Sequence, residues 1–165
     1  MTAGHMHLIL NHFPIVGLIV GLGVLAYGMF SKSLDIKKVG LGVIVVMALI
    51  AIPAYLTGEE AEELVEHLPG ISDHDIHEHE ELAEKAVIMM AILGSMALFA
   101  LYAFWKKMKV AKTMTMITLV FGLITFGVFA KVGNLGGKIR HTELSDEKTP
   151  TTQGVLRQDD DDDDD

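Results

Sequence analysis

Histidine and carboxylate side chains are the strong metal ligands of this 165-residue sequence, because it contains no cysteine. The lack of cysteine excludes disulfide frameworks, iron–sulfur clusters, thiolate zinc sites and covalently attached c-type haem. Imidazole combined with carboxylate suits iron, manganese or zinc, and imidazole alone also suits copper and haem iron. The candidate chemistry is therefore metal or haem binding, and eight histidines are available for it: His5, His7, His12, His67, His74, His77, His79 and His141.

Four segments without any Asp, Glu, Lys or Arg separate these histidines along the chain. They cover residues 13–30, 39–58, 86–105 and 113–130, and each is 18 to 20 residues long. An apolar helix of this length crosses the hydrocarbon core of a bilayer. The sequence therefore predicts an all-α integral membrane four-helix bundle, and it excludes a soluble enzyme domain and nucleic-acid binding.

The domain organisation follows from the same pattern. The transmembrane domain is predicted to cover residues 1–144, with spans at about 8–30, 39–58, 83–105 and 113–133. Residues 145–165 end in seven consecutive aspartates, which repel one another and bury no apolar surface. This last segment is predicted to be a disordered acidic tail.

The lysines predict how the bundle is oriented. The loops after the first and third spans carry seven of them: Lys32, Lys37, Lys38, Lys106, Lys107, Lys109 and Lys112. The connector of residues 59–84 instead carries eleven acidic residues and no basic one. Because short cytoplasmic loops are rich in lysine and arginine, we expect the two lysine-rich loops in the cytoplasm. The acidic connector and both termini are then outside. All eight histidines then lie on the outer side, which is periplasmic or extracellular if the membrane is a bacterial inner membrane.

Helical extensions are expected to carry the outer histidines. Residues 59–68 are predicted to prolong the second span until Pro69 and Gly70 end the helix. Ser72 or Asp73 is predicted to cap a new helix that continues into the third span. Residues three and four apart share a helix face, so one group of candidate ligands lies on a common stripe and His79 lies on another. That group contains His74, His77, Glu81 and Glu84.

Glycines are expected to act in two ways. Gly17 and Gly21 form a GxxxG pair, and small residues of this kind let helices approach closely either one another or a flat cofactor. Gly133, Gly136 and Gly137 follow the fourth span. Because glycine favours helix C-termini, these three are predicted to end the fourth helix and turn the chain.

The first functional hypothesis is a b-type cytochrome with one or two haems near the outer face. Two histidines fill both axial positions of the iron, which suits electron transfer because no substrate can bind there. His12 with His79 is the preferred axial pair, and His67 with His141 is a second pair. Arg140 is a candidate partner of the haem propionates. A quinol or an outer-side cytochrome would be the redox partner, because no second histidine set exists on the cytoplasmic side.

The second hypothesis is a non-haem site that binds one or two iron, copper, manganese or zinc ions. Its candidate ligands are His12, Glu63, His67, His79, Glu80, Glu81 and His141. The third hypothesis is an accessory membrane subunit without a cofactor, whose outer histidines only titrate among carboxylates. A homo-oligomer and a subunit of a larger complex are both open under each hypothesis, and lipid is the surrounding partner in all of them.

Three short motifs resemble those of a family of small membrane proteins of unknown function. The motifs are Leu-Asn-His-Phe-Pro-Ile at residues 10–15, Leu-Thr-Gly at residues 56–58, and His79 at the entry to the third span. The resemblance covers roughly the first 130 residues. It implies four spans and an electron-transfer setting, because relatives are sometimes joined to c-type cytochromes or found near them. The acidic connector and the Ile-Arg-His-Thr-Glu end differ from the commonest pattern, and they add carboxylate ligands.

Overall fold

A computed structural model describes residues 3–63 and 73–140 of the chain, and these residues form helices without any β-strand. The helices are α1 (Ala3–Leu10), α2 (His12–Phe30), α3 (Leu34–Glu63), α4 (Asp73–Trp105) and α5 (Ala111–Arg140). Only Asn11 separates α1 from α2, so the two helices together form the first span. Four helical units are long and apolar enough to cross a membrane. The predicted all-α four-helix bundle is confirmed, and we take the four charge-free runs as its membrane-spanning segments.

The long helices pack in an up-and-down ring. Each of α2 to α4 packs against the next helix along the chain, α5 closes the ring against α2, and α1 packs mainly against α3. One stripe of each helix faces the core; in α2 it includes Pro14, Leu18 and Leu25. The outward faces stay apolar, as Leu49 (62% exposed) and Leu98 (58% exposed) illustrate. Such faces suit contact with lipid, because apolar side chains in water would be costly.

Glycine allows α2 and α3 to approach closely near their short loop. A Cβ atom built on Gly40 would lie 2.6 Å from the backbone nitrogen of Leu25, and one built on Gly28 would lie 2.7 Å from that of Lys37. Only a residue without a side chain fits such backbone contacts. Gly28 and Gly40 therefore allow close packing of the two helices, which is one of the roles expected for glycine in this chain.

The helix of the fourth span continues beyond the glycines that the sequence predicts as its end. The expectation that Gly133, Gly136 and Gly137 end the helix is wrong, because α5 continues through all three to Arg140. Gly133 faces Ile15 and Gly136 faces the ring of His79, each with 3.1 Å between the built Cβ and the nearest atom. At these two positions glycine provides space for a neighbouring side chain rather than a turn. The start of α4 at Asp73 confirms the helix predicted to begin at Ser72 or Asp73.

Candidate cofactor site

The helices bring the described histidines to one end of the bundle. This histidine end consists of α1, the first turns of α2 and α4, and the last turns of α3 and α5. Six histidines of the described residues lie there: His5, His7, His12, His74, His77 and His79. The opposite end, which we call the lysine end, contains residues 31–38 and 106–112. The histidine clustering expected from the sequence is therefore present for these six side chains.

His7 lies on the stripe of the first span that faces the bundle. Steps of seven residues lead from it to Pro14, Gly21 and Gly28, which are all buried. Residues seven apart share a helix face, so the imidazole is directed toward α3. Its Nδ1 lies 2.9 Å from the backbone oxygen of Ala54. The ring fits beside Gly58, where a Cβ atom would lie 3.4 Å from its Cε1.

His79 occupies the matching position on α4. Steps of seven residues lead from it to Ala86, Leu93 and Ala100, and all three are buried. Its Nδ1 lies 3.1 Å from the backbone oxygen of Val132 in α5. The ring lies against Gly136, four residues after the residue that accepts the hydrogen bond. His7 has the same relation to its own helix partner, because Gly58 follows Ala54 by four residues.

The hydrogen bonds determine which ring nitrogen of His7 and of His79 carries the proton. A carbonyl oxygen only accepts hydrogen bonds, so Nδ1 must donate in both histidines. In a neutral imidazole, Nε2 then keeps a free lone pair. Metal-binding histidines in proteins commonly have this arrangement, in which the bond from one nitrogen orients the ring and raises the basicity of the other. Burial lowers the pKa of the His79 imidazole below its usual value, the hydrogen bond to Val132 opposes this shift, and the charge of a protonated His7 lowers the pKa further.

Asn11 adds an unpaired acceptor to this end. Its side-chain oxygen is buried and has no hydrogen-bond partner among the described residues. It follows His7 by four residues, so both side chains lie on one face of the first span. Buried polar atoms are nearly always paired, so the oxygen of Asn11 is available to a bound water, an ion or a ligand.

His12, the histidine preferred from the sequence, is arranged differently. Its side chain is exposed, and its Nδ1 lies 3.2 Å from the backbone oxygen of Leu8 one turn earlier. Seven residues further along the helix, Ile19 is 48% exposed, so this stripe faces away from the bundle. His12 does lie within electrostatic reach of His7. It is a neighbour of the buried pair and not a member of it.

The candidate carboxylates Glu80 and Glu81 lie on the exposed surface of α4. The Glu81 carboxylate accepts a 2.7 Å hydrogen bond from Lys85, and that of Glu80 lies 3.8 Å from the ring of His77. Glu78, a neighbour of both, accepts a 3.3 Å bond from Lys131 of α5. These contacts form at the surface of the bundle, whereas the rings of His7 and His79 are half-buried between helices. The structure therefore does not bring Glu80 and Glu81 to the pair.

Several predicted ligands lie outside the described part of the chain. These are His67, His141 and the side chains of Glu63 and Arg140. Within residues 3–63 and 73–140, no group of three or more His, Asp or Glu side chains is placed to hold a metal ion. The described residues therefore offer a pair of imidazoles rather than a cluster of mixed ligands.

His7 and Asn11 are not among the site residues that the sequence predicts. The signal was present in the spacing, because both precede buried residues of the first span by seven positions, Pro14 and Leu18. The Asn-His-Phe-Pro motif directed attention to His12 instead, one residue beyond the face that is buried.

Comparison of the chain with protein-family models, with curated proteins and with solved structures gives no match. The residues of this chain therefore carry the functional interpretation.

Proposed function

We propose that this protein is a membrane redox protein that binds haem b at its histidine end, with His7 and His79 as axial ligands. One observation carries the proposal: two half-buried imidazoles from different helices are each anchored through Nδ1 and keep Nε2 free. Paired imidazoles are the ligand set of electron-transfer haems, because they fill both axial positions. His7 thus takes the place that the sequence analysis gave to His12.

The donor set fits haem better than a free ion. Haem iron takes four ligands from the porphyrin and needs only two from the protein, whereas a structural or catalytic zinc site needs at least three. The described residues supply two imidazoles and no cluster of three ligands. The unpaired oxygen of Asn11 lies on the same helix face as His7 and gives the site a further polar contact.

Each nearby residue has a separate task in this proposal. The backbone oxygens of Ala54 and Val132 accept hydrogen bonds from the Nδ1–H groups, which fixes both rings and makes each Nε2 more basic toward a metal. Lys138, half-buried near the end of α5, provides a positive charge for a propionate, and Arg140 is a second candidate from the sequence. Haem b, when bound, supplies a one-electron couple.

The proposed location follows from the lysines. With the lysine loops in the cytoplasm, the histidine end faces the outer side of a bacterial inner membrane. The buried histidine pair then lies near one membrane surface only. Electrons would reach it from a quinol or from an outer-side cytochrome.

The test is a visible absorption spectrum of the detergent-purified protein, recorded oxidised and then dithionite-reduced, with metal analysis of the same sample. A sharp Soret band with resolved α and β bands after reduction is the expected result. A stoichiometric transition metal without a Soret band would overturn the haem proposal. It would favour the non-haem site, whose further ligands would then be sought among His12, Glu63, His67 and His141. Absence of both signals would favour the third hypothesis, an accessory subunit without a cofactor.

A further inference from the structure

The lysine end contains an open cavity of about 520 Å³ that the proposed function does not use. Both lysine loops contribute to it, and apolar residues such as Phe104 and Leu34 complete its wall. Five lysines line this lysine-lined cavity: Lys32, Lys37, Lys107, Lys109 and Lys112. A preference for lysine in cytoplasmic loops explains their number, but it does not explain why two separate loops direct five of them to one concave surface.

Acidic side chains do not balance this charge. Residues 31–38 and 106–112 include a single acidic residue, Asp35. Its side chain is 94% exposed and lies 3.9 Å from Lys38, which does not line the cavity. The wall of the cavity therefore carries positive charge without an acidic residue, and such a surface attracts anions.

The backbone supports the same conclusion. Lys32 and Lys107 have φ angles of 58° and 53°, and they follow the last helical residues of α2 and α4 closely. This left-handed conformation costs a residue with a side chain about 1–2 kcal/mol, and glycine is the usual choice after a helix. Both positions instead carry a lysine, and both lysines line the cavity. At these two positions a lysine side chain in the wall of the cavity therefore replaces the glycine that the backbone conformation favours.

The ligand must be negative at one end and apolar at the other. Lysine side chains suit a phosphate group, and the wall residues Ala103 and Phe104 belong to the third charge-free run, which we take as membrane-spanning. Trp105, 72% exposed with Lys106 4.4 Å from its ring centre, is typical of a residue at the membrane boundary. We propose that the lysine-lined cavity binds the phosphate headgroup of an anionic phospholipid, as basic pockets between transmembrane helices do.

Native mass spectrometry of the full chain in detergent tests this proposal, with phosphatidylglycerol and phosphatidylcholine as probes. The cavity variant Lys32→Gln/Lys109→Gln is compared with the control Lys38→Gln/Lys106→Gln, which removes the same charge from the same end. We expect the cavity variant to bind phosphatidylglycerol about tenfold more weakly than the unchanged protein, and the control less than about twofold more weakly. Lys32→Arg/Lys109→Arg keeps both charges and should retain binding.

Three outcomes would overturn the proposal. Equal losses in the cavity variant and the control would show a general effect of surface charge. Equal binding of phosphatidylglycerol and phosphatidylcholine would show that the headgroup charge is not recognised. Displacement of the lipid by millimolar inorganic phosphate would identify a site for a free anion instead of a lipid. Thermal unfolding of each variant, compared with the unchanged protein, verifies that the bundle is intact.

Discussion

The two ends of the bundle treat charge in opposite ways. At the histidine end, Glu81 and Glu78 pair with lysines at the surface, and the buried imidazoles donate to backbone oxygens. At the lysine end, five lysines line a cavity without an acidic residue in its wall. Paired charges with free nitrogen lone pairs suit a cofactor that binds through coordination. Unpaired cations suit a ligand that binds through its charge, so one small bundle presents two kinds of site.

The ends also differ in what lies between the helices. Near the lysine end, Gly28 and Gly40 bring the backbones of α2 and α3 into contact. At the histidine end, Gly58 and Gly136 instead make room for imidazole rings. An alanine at Gly40 therefore tests a backbone contact, and an alanine at Gly136 tests the space beside a histidine ring. Gly42 and Gly137, which have no atom within 4 Å of an added Cβ, provide matched controls.

Loss of the cofactor is the largest effect that we expect. In His7→Asn and His79→Asn, the amide nitrogen replaces Nδ1 and still donates to Ala54 or Val132, but Nε2 is gone. Each variant should therefore insert and fold while losing its bound haem, measured as Soret absorbance per protein. His77→Asn is the control, because its side chain is 79% exposed on the same helix. Full haem content in both site variants would mean that the rings only join helices.

Gly40→Ala should give the next largest effect, at the lysine end. The new methyl group would meet the backbone of Leu25, which cannot move aside as a side chain can. We expect a loss of about 1–3 kcal/mol in the free energy of unfolding, measured by denaturant titration in mixed micelles. Gly42→Ala, two residues further on, has no atom within 4 Å of its new Cβ. This control should gain up to about 1 kcal/mol from helix propensity, and equal effects at both positions would contradict the close packing.

Gly136→Ala tests the corresponding space at the histidine end. Its methyl group would press on the ring of His79 at 3.1 Å and displace Nδ1 from the oxygen of Val132. Because the ring can shift by a few tenths of an ångström, we expect a net change in stability within about 1 kcal/mol. The haem spectrum should change more clearly, through a weaker or broadened Soret band.

The adjacent glycine provides the control for that variant. Gly137→Ala places a methyl group in open space and makes the same change in helix propensity. Its spectrum should match that of the unchanged protein. Identical spectra for Gly136→Ala and Gly137→Ala would show that the His79 ring does not bind the haem.

The smallest effect is expected at the surface ion pair between α4 and α5. Lys131 and Glu78 are 61% and 42% exposed at the side chain, so water screens their attraction. Glu78→Gln should change the free energy of unfolding by less than about 1 kcal/mol and leave the spectrum unchanged. Loss of haem in this variant would show that the surface carboxylates take part in the site.

Much of the fold is readable from the sequence because the bilayer imposes a length. Charge-free runs of 18 to 20 residues leave few alternatives to spanning helices, and Asp73 is a good first residue for α4. The end of α5 was predicted wrongly at Gly133. In water a glycine run favours a helix end, but between packed helices the same residues provide space, and sequence alone does not distinguish the two.

Part of the arrangement at the histidine end is readable from the sequence. The helix periodicity predicts that His79 lies on a different stripe of α4 from His74 and His77, and the structure places the His79 ring against α5. The choice between His7 and His12 depends on which face of the first span is buried. That face follows from the contacts of α1 with α3, which are tertiary, and the seven-residue spacing from His7 to Pro14 indicates it only once Pro14 is known to be buried.

The hydrogen bonds of the two half-buried histidines join neighbouring spans. That of His7 joins the first span to the second, and that of His79 joins the third to the fourth. His7 bonds to Ala54 beside Gly58, and His79 bonds to Val132 beside Gly136, each 47 or 53 residues further along the chain. The protein is thus made of two helical hairpins built on one plan, each of which leaves and returns to the same membrane surface and carries one oriented imidazole. Under the proposed function, each hairpin alone carries one of the two histidines that would hold the haem. Two polypeptides divided within residues 64–72 would therefore be expected to bind haem only when both are present in the membrane.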